Sequence, residues 1–143
     1  MENNGWIGVD LDGTLAHYDT WEKWNVFGPP IRLMVNRVRK WLDEGKTVKI
    51  FTARVTVYNP KSNWTRCIYC YKSNEKYSRQ EMVEAIQDWC SANVKEGWRP
   101  GVTCVKDLSM VELWDDRAVG VETNTGRTLA DAALEEEKTL NDY

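Results

Sequence analysis

The sequence predicts an α/β fold, a three-layer sandwich of helices around a mostly parallel, Rossmann-like sheet. Short apolar segments alternate with amphipathic helical segments, which is typical of parallel sheets. Three predicted strands end at a polar residue, namely Asp10, Thr52 and Asp115. Because ligands bind beyond the carboxyl ends of parallel strands, these three side chains are expected to meet at one site. The length of 143 residues suits one domain over 1–143, built on one core.

The first half of the chain supplies two predicted strands and one helix. Residues 6–10 form an apolar strand that ends in an acid, and 11–28 are predicted to be loop. The prolines at 29–30 are expected to open a helix, because proline suits the first helical turn. Gly45 is the expected C-cap, and residues 47–52 form the second strand. The helix has one apolar face, made of Ile31, Met34, Val35, Val38, Trp41 and Leu42.

A second helix is predicted after an irregular stretch. Residues 54–77 show no clear periodicity, although a short helix is expected near Trp64–Tyr71. Ser78 and Glu81 form a capping box at the start of the second helix. Its apolar stripe consists of Met82, Ile86, Trp89 and Cys90, and the residues expected to end it are Gly97 and Pro100.

Short extended segments follow at 102–105, 111–114 and 119–122, and the acidic tail from Ala130 is expected to be a weakly packed helix or a frayed end. Only about four residues, 107–110, separate the first two segments, whereas a parallel crossover needs about a dozen. These two segments are therefore not expected to be adjacent parallel strands. Either the first is merely extended chain, or the sheet is truncated.

Composition and net charge exclude few classes of function for this protein. The net charge is −3, with 42% hydrophobic and 29% charged residues, which is ordinary for a globular protein. No apolar run is long enough to span a bilayer and no signal peptide is evident, so a cytoplasmic protein without a membrane partner is expected. Its cysteines are then expected to be free thiols. A zinc site is the alternative, because Cys67-x-x-Cys70 is half of one, which Cys90 and Cys104 would have to complete.

The segment Asp10-x-Asp12-Gly13 carries the strongest chemical signal. Two acids spaced by two leave a strand end on the same side, where they can hold a divalent metal while one oxygen stays free to attack. Gly13 lets the chain turn sharply as it leaves the sheet. The alternative is a surface turn with two solvated acids.

This segment and three later ones resemble the haloacid dehalogenase (HAD) superfamily. Asp10-Leu11-Asp12-Gly13-Thr14 is similar to its first motif, Thr52 to its second, Lys106 to its third and Asp115-Asp116 to its fourth, in the same order. The resemblance extends from Trp6 to about Val121, most of the chain.

Two longer stretches are similar to compact HAD-like proteins of phage and prophage type. They are Ile50–Arg54 and Trp114–Val119, and an Asp-Asp-Arg arrangement like that of the second occurs in the phosphatase half of phage polynucleotide kinases. Only residues 15–28 separate the first motif from the first helix, which is enough for a flap but not for a cap domain. A capless member is therefore expected.

The resemblance implies a role for each motif residue. Asp10 would be the nucleophile that forms an aspartyl-phosphate. Mg²⁺ would be bound by Asp10, by the backbone carbonyl of Asp12 and by Asp116, while Asp115 would either bind it too or position its waters. The Asp12 side chain would act as general acid and then as general base.

The remaining motif residues would bind the phosphoryl group. Thr52 would donate a hydrogen bond to a phosphate oxygen, and Lys106 would add positive charge and orient Asp10. Arg54 lies two residues beyond Thr52 and suits a bidentate phosphate contact, with a surface ion pair as the alternative.

An insertion at 58–77 bears on the substrate. It combines basic residues with tyrosines and Trp64, as single-stranded nucleic acid or a nucleotide would require. The alternative is a solvent-facing insertion whose aromatic rings seal a small core. The basic residues are Lys61, Arg66, Lys72 and Lys76.

Together these features predict a Mg²⁺-dependent phosphatase acting on a phosphomonoester, with small-molecule phosphate esters, nucleotides and nucleic-acid ends as candidate substrates. A non-catalytic module that binds nucleic acid or protein is the main alternative. Phosphotransfer to an acceptor other than water would use the same residues.

Overall fold

A computed structural model describes residues 5–18, 24–56, 64–66 and 76–142, with 64–66 and 76 described by their backbone alone. Within those ranges no helix has the length and apolar character needed to cross a membrane. In chain order the elements are β1 Trp6–Val9, α1 Arg32–Asp43, β2 Thr47–Phe51, a 3₁₀ turn at Ala53–Val55, β3 Trp64–Arg66, β4 Lys76–Ser78, α2 Arg79–Asn93, β5 Val102–Thr103, β6 Met110–Trp114 and α3 Leu129–Asn141.

Four strands form a parallel sheet in the order β5-β2-β1-β6. In the middle of the sheet Val9 lies opposite Ile50 on one side and Trp114 on the other. The α/β class and the parallel sheet are therefore confirmed. Since β1, β2 and β6 run in the same direction, the residues that follow them emerge at one edge.

The connection from β5 to β6 is too short for a crossover between neighbouring parallel strands. The two strands lie at opposite edges of the sheet, so they are not neighbours, as expected from the sequence. The link, 104–109, returns to the start of β1, where the Trp6 indole Nε1 donates to Asp107 Oδ1 at 2.9 Å and the Trp6 amide donates to the Ser109 carbonyl at 2.9 Å. Segment 102–105 does contain a strand, but only Val102–Thr103 pair with β2.

One face of the sheet carries the core. Ile7 and Val9 of β1 and Val48 and Ile50 of β2 join one buried cluster with both α1 and α2. The other face carries Trp6, with the Lys49 ammonium 4.8 Å from its ring centroid. A helix layer on that second face stays a prediction. The helix side chains in the cluster include Met34, Val35, Val38, Met82, Ile86, Cys90 and Val94.

The start of α1 differs from the prediction. The prolines at 29–30 do not open the helix, because they lie in an extended segment beside residues 15–17. The His17 amide donates to the Pro29 carbonyl and the Ile31 amide to the Leu15 carbonyl, each at 2.8 Å. The helix end is as expected, since Gly45 has φ +78° and closes a Schellman motif.

The capping box at Ser78 and Glu81 is confirmed, and α2 begins at Arg79, directly after its N-cap Ser78. The helix ends at Asn93, before the Gly97 and Pro100 predicted to stop it. The short helix expected near Trp64–Tyr71 is wrong over 64–66, which form a strand antiparallel to β4, and the rest of it lies outside the described residues. The C-terminal α3 is a helix with no buried residue, in line with the weak packing expected.

Replacing Ile86 with alanine should destabilise the protein strongly. Its side chain is fully buried between α2 and the sheet, so the unfolding free energy should fall by about 2–5 kcal/mol in chemical denaturation. The control is Leu33→Ala, because Leu33 is 62% exposed on α1 and its loss should change stability by no more than about 0.5 kcal/mol. Equal effects of the two substitutions would contradict this core.

Candidate active site

The three predicted strand ends do converge. Asp10 follows β1, Thr52 follows β2 and Asp115 follows β6, and all three line one pocket of about 180 Å³. This volume is below the roughly 300–1,000 Å³ of pockets for drug-sized ligands, so the pocket suits a small polar group. Its full lining is Asp10, Asp12, Tyr18, Phe51, Thr52, Ala53, Arg54, Asp115, Asp116 and Arg117.

Three carboxylates in this pocket are close enough to share a cation. One oxygen each from Asp10, Asp115 and Asp116 lies within 4.8 Å of the others. The strands fix this arrangement, since the Asp10 amide donates to the Trp114 carbonyl at 2.9 Å, just before the two later acids. The Asp12 side chain lines the pocket but does not belong to the group of three.

Thr14 and Gly13 bring the first acidic segment against the last. The Thr14 hydroxyl is 3.3 Å from Asp10 Oδ2 and 3.3 Å from Asp116 Oδ1, and it accepts from the Asp116 amide at 3.0 Å. Gly13 has φ +86°, and a Cβ there would lie 2.6 Å from Asp116 Oδ2. Glycine is therefore required both for the turn and for the close approach of Asp116.

Asp10 is the most strongly perturbed acid of the pocket. Burial raises its pKa to about 8, with smaller contributions from a hydrogen bond to Asp116 and from the negative charges of Asp115, Asp116 and Asp12. Without a cation, Asp10 therefore holds a proton near neutral pH. A bound cation would reverse this balance, because it would favour the charged carboxylate.

The Asp12 carboxylate is bound by Arg54. The guanidinium donates from Nε to Asp12 Oδ2 at 2.8 Å and from Nη2 to Asp12 Oδ1 at 2.7 Å. This is the bidentate geometry of strong arginine–carboxylate pairs. Arg54 is buried, with 4% of its side chain exposed. The alternative prediction of an ion pair at the surface is therefore wrong, because the ion pair that Arg54 forms is buried.

The surroundings of Arg54 hold it in place. Its Nη1 donates to the Trp24 carbonyl at 3.0 Å, and its guanidinium carbon lies 4.4 Å from the Phe27 ring centroid. The Tyr77 hydroxyl donates to the Arg54 carbonyl at 3.3 Å. Tyr77 also stacks on Trp24, with ring centroids 5.0 Å apart. The described end of the flap, from Trp24, thus packs over Arg54.

Thr52 and Lys106 differ in how they reach the pocket. Thr52 is buried, lines the pocket, and accepts a hydrogen bond from the Arg54 amide at 3.2 Å, which caps the 3₁₀ turn. Lys106 is exposed and is not part of the pocket lining. It follows β5, whose neighbour β2 leads into Thr52. The assignments of Thr52 and Lys106 to the phosphoryl group stay predictions.

Several predictions about the chain fall outside the described residues. These include Cys67 and Cys70 with their zinc alternative, and most of the insertion at 58–77. Cys90 is buried in the core, and burial raises the pKa of its thiol to about 12, as suits a packed side chain. The other cysteine described, Cys104, is partly buried.

Comparisons of the chain with protein-family models, with curated proteins and with solved structures find no match.

A Gly13→Ala substitution should damage the site as well as the backbone. Both Gly13 and Gly45 have positive φ, so alanine costs roughly 1–2 kcal/mol of unfolding free energy at either position. Only at Gly13 does the new methyl group strike the Asp116 carboxylate, since no atom lies within 4 Å of the Gly45 Cβ position. Gly13→Ala should therefore destabilise the protein more than Gly45→Ala in chemical denaturation. Equal losses would contradict the close approach of Asp116.

The stability of metal-free protein should depend on pH through Asp10. The folded state keeps a proton that the unfolded chain releases near the ordinary pKa of 3.8, so the unfolding free energy should fall as the pH rises from about 4 to about 8. Asp10→Asn should remove most of this slope. Thermal denaturation at several pH values, with a chelator present, measures how the unfolding free energy depends on pH. The same dependence in Asp10→Asn as in the wild type would contradict the raised pKa.

Proposed function

We propose that this protein is a Mg²⁺-dependent phosphatase that hydrolyses a phosphomonoester through an aspartyl-phosphate on Asp10. The proposal includes membership of the HAD superfamily as a compact member without a cap domain. The observation that carries it is the convergence of Asp10, Asp115 and Asp116 at the carboxyl edge of the parallel sheet, with Thr52 in the same pocket.

The donor set fits a hard divalent cation. Carboxylate oxygens are the ligands that Mg²⁺ prefers, and it commonly binds one or two carboxylates together with water and substrate phosphate. The pKa of Asp10 is raised chiefly by burial and, to a smaller degree, by the neighbouring acids, and a bound cation would favour its charged form. When bound, Mg²⁺ would lower the negative charge of the phosphoryl group that an anionic nucleophile must approach.

In the first step a carboxylate oxygen of Asp10 attacks phosphorus. The bond from Asp10 to phosphorus forms as the bond to the leaving oxygen breaks. Asp12 enters this step as the protonated acid, with the proton on a lone pair that does not accept from Arg54, and gives that proton to the leaving oxygen. Thr52 donates a hydrogen bond to a phosphoryl oxygen, and Lys106 supplies positive charge.

In the second step Asp12 serves as the base. Its carboxylate takes a proton from water, the water oxygen bonds to phosphorus, and the bond from phosphorus to Asp10 breaks. Inorganic phosphate leaves, and Asp10 and Asp12 return to their starting states. Because the pocket is small, it holds the phosphoryl group while the rest of the substrate stays outside. Nucleotides and phosphorylated nucleic-acid ends are compatible with this arrangement.

Asp10→Asn should abolish Mg²⁺-dependent phosphate release from an aryl phosphate. An amide cannot form the acyl phosphate, so the rate should fall by at least about a hundredfold. Asp43→Asn is the matched control, because Asp43 is 73% exposed on α1 and lies outside the pocket. Phosphate release measured with and without a chelator gives the result.

Wild-type activity in Asp10→Asn would contradict the nucleophile assignment. Unchanged rates in the chelator would contradict the dependence on Mg²⁺. Tight binding of single-stranded DNA without any phosphate release would favour a binding module instead.

A further inference from the structure

One acid of the pocket is separated from the other three by its partner. Asp10, Asp115 and Asp116 face one another, whereas both oxygens of Asp12 accept from the Arg54 guanidinium at 2.7 and 2.8 Å. Among the ion pairs of the described residues, this one has by far the least exposed cation. Arg54 therefore cancels the charge of one acid without entering the cluster of three.

The contacts of Arg54 determine what the side chain can do. Its Nε and Nη2 are used on Asp12 and its Nη1 on the Trp24 carbonyl, while one face of the guanidinium lies against the Phe27 ring. A bidentate contact of Nε and Nη2 with phosphate would break the pair with Asp12 and leave that carboxylate without its charge partner at the edge of the pocket. The arrangement suits a support for Asp12 better than a phosphate ligand.

We propose that Arg54 is a positioning residue, which holds the Asp12 carboxyl group in the plane and at the distance required for its proton to pass to the leaving oxygen. This inference rests on the proposed function, and it replaces the expected bidentate contact of Arg54 with phosphate. The two lone pairs of each Asp12 oxygen allow one to accept from Arg54 while the other faces the pocket.

Arginine is required for this role, and lysine would not replace it. A planar guanidinium fixes both oxygens of a carboxylate at once, whereas an ammonium is a point charge that leaves the carboxylate free to rotate. The Arg54 backbone is fixed as well, because its amide donates to Thr52 Oγ1 and its carbonyl accepts from the Tyr77 hydroxyl. Asp12 is thereby tied to the end of β2.

The test compares two substrates that differ in their need for a proton. Phenyl phosphate has a basic leaving group that requires a general acid, and dinitrophenyl phosphate has a leaving group that departs without one. The variants are Arg54→Lys, Asp12→Asn and the double variant, with Mg²⁺ present and with folding checked by thermal denaturation. Arg54→Met serves as a second, more severe variant, provided that it folds.

If Arg54 acts through Asp12, Arg54→Lys should lower kcat on phenyl phosphate at least about tenfold more than on dinitrophenyl phosphate, a fraction of what a general acid contributes. KM should change by less than about twofold, because phosphate binding is not lost. Asp12→Asn should show the same bias towards the activated substrate. In the Asp12→Asn background, adding Arg54→Lys should lower kcat on phenyl phosphate by less than about a further twofold.

Equal losses on the two substrates together with a raised KM would overturn the proposal and make Arg54 a phosphate ligand. The proposal would also be overturned if Arg54→Lys lowered kcat as much in the Asp12→Asn background as it does in the wild-type protein. The proposed function fails separately, since it requires that Asp10→Asn be inactive on both substrates. If Asp10→Asn is inactive while Arg54→Lys lowers kcat equally on both substrates, the proposed phosphatase function is retained and only the role of Arg54 is rejected.

Discussion

Repulsion among like charges is the constraint on which the rest of this structure depends. Two carboxylates at about 4 Å near a protein surface repel each other by roughly 4 kcal/mol, and this pocket collects four of them. The protein relieves this repulsion differently for Asp10 and for Asp12. Burial and the neighbouring acids together raise the pKa of Asp10, which therefore keeps a proton, and the Thr14 hydroxyl lies between Asp10 and Asp116. Asp12 is neutralised by the Arg54 guanidinium.

The parallel sheet makes this concentration of charge possible. A strand holds its last side chain far more rigidly than a loop does, and β1 is fixed on both sides by β2 and β6. Val9, the residue before Asp10, is fully buried, and Thr52, the residue after β2, is 2% exposed. The acids therefore cannot move apart without disrupting the core, so their mutual repulsion is balanced by the packing of the strands beneath them.

Local patterns in the sequence were sufficient to predict the strand ends, the capping box at Ser78 and the turn at Gly45, because each depends on residues close together in the chain. The start of α1 was wrong because a proline pair suits an extended segment as well as a first helical turn. What decides between them is pairing with residues 15–17, which no local pattern contains.

The partner of Arg54 could not be predicted for a similar reason. The sequence places this arginine beside Thr52, and that proximity suggested phosphate, whereas the fold gives it a carboxylate 42 residues earlier. The sequence predicts a role for Gly13 in the turn alone, since its role in admitting the Asp116 carboxylate depends on the packing of both segments. The four acids of the pocket, Thr52 and Arg54 were thus predictable from the sequence, whereas the pairings among them were not.

The position of β6 at the edge of the sheet has a consequence for biosynthesis. The central strand β1 pairs with β6 across more than a hundred residues, as the hydrogen bond from Thr14 to Asp116 spans 102 positions. A ribosome releases the N-terminal acids long before their counterparts exist. During translation the nascent polypeptide therefore carries Asp10 and Asp12 on an unfinished sheet, and the cluster of three carboxylates is assembled only when β6 docks. Such non-local pairing also slows folding, because closing a long loop costs entropy before any contact is gained.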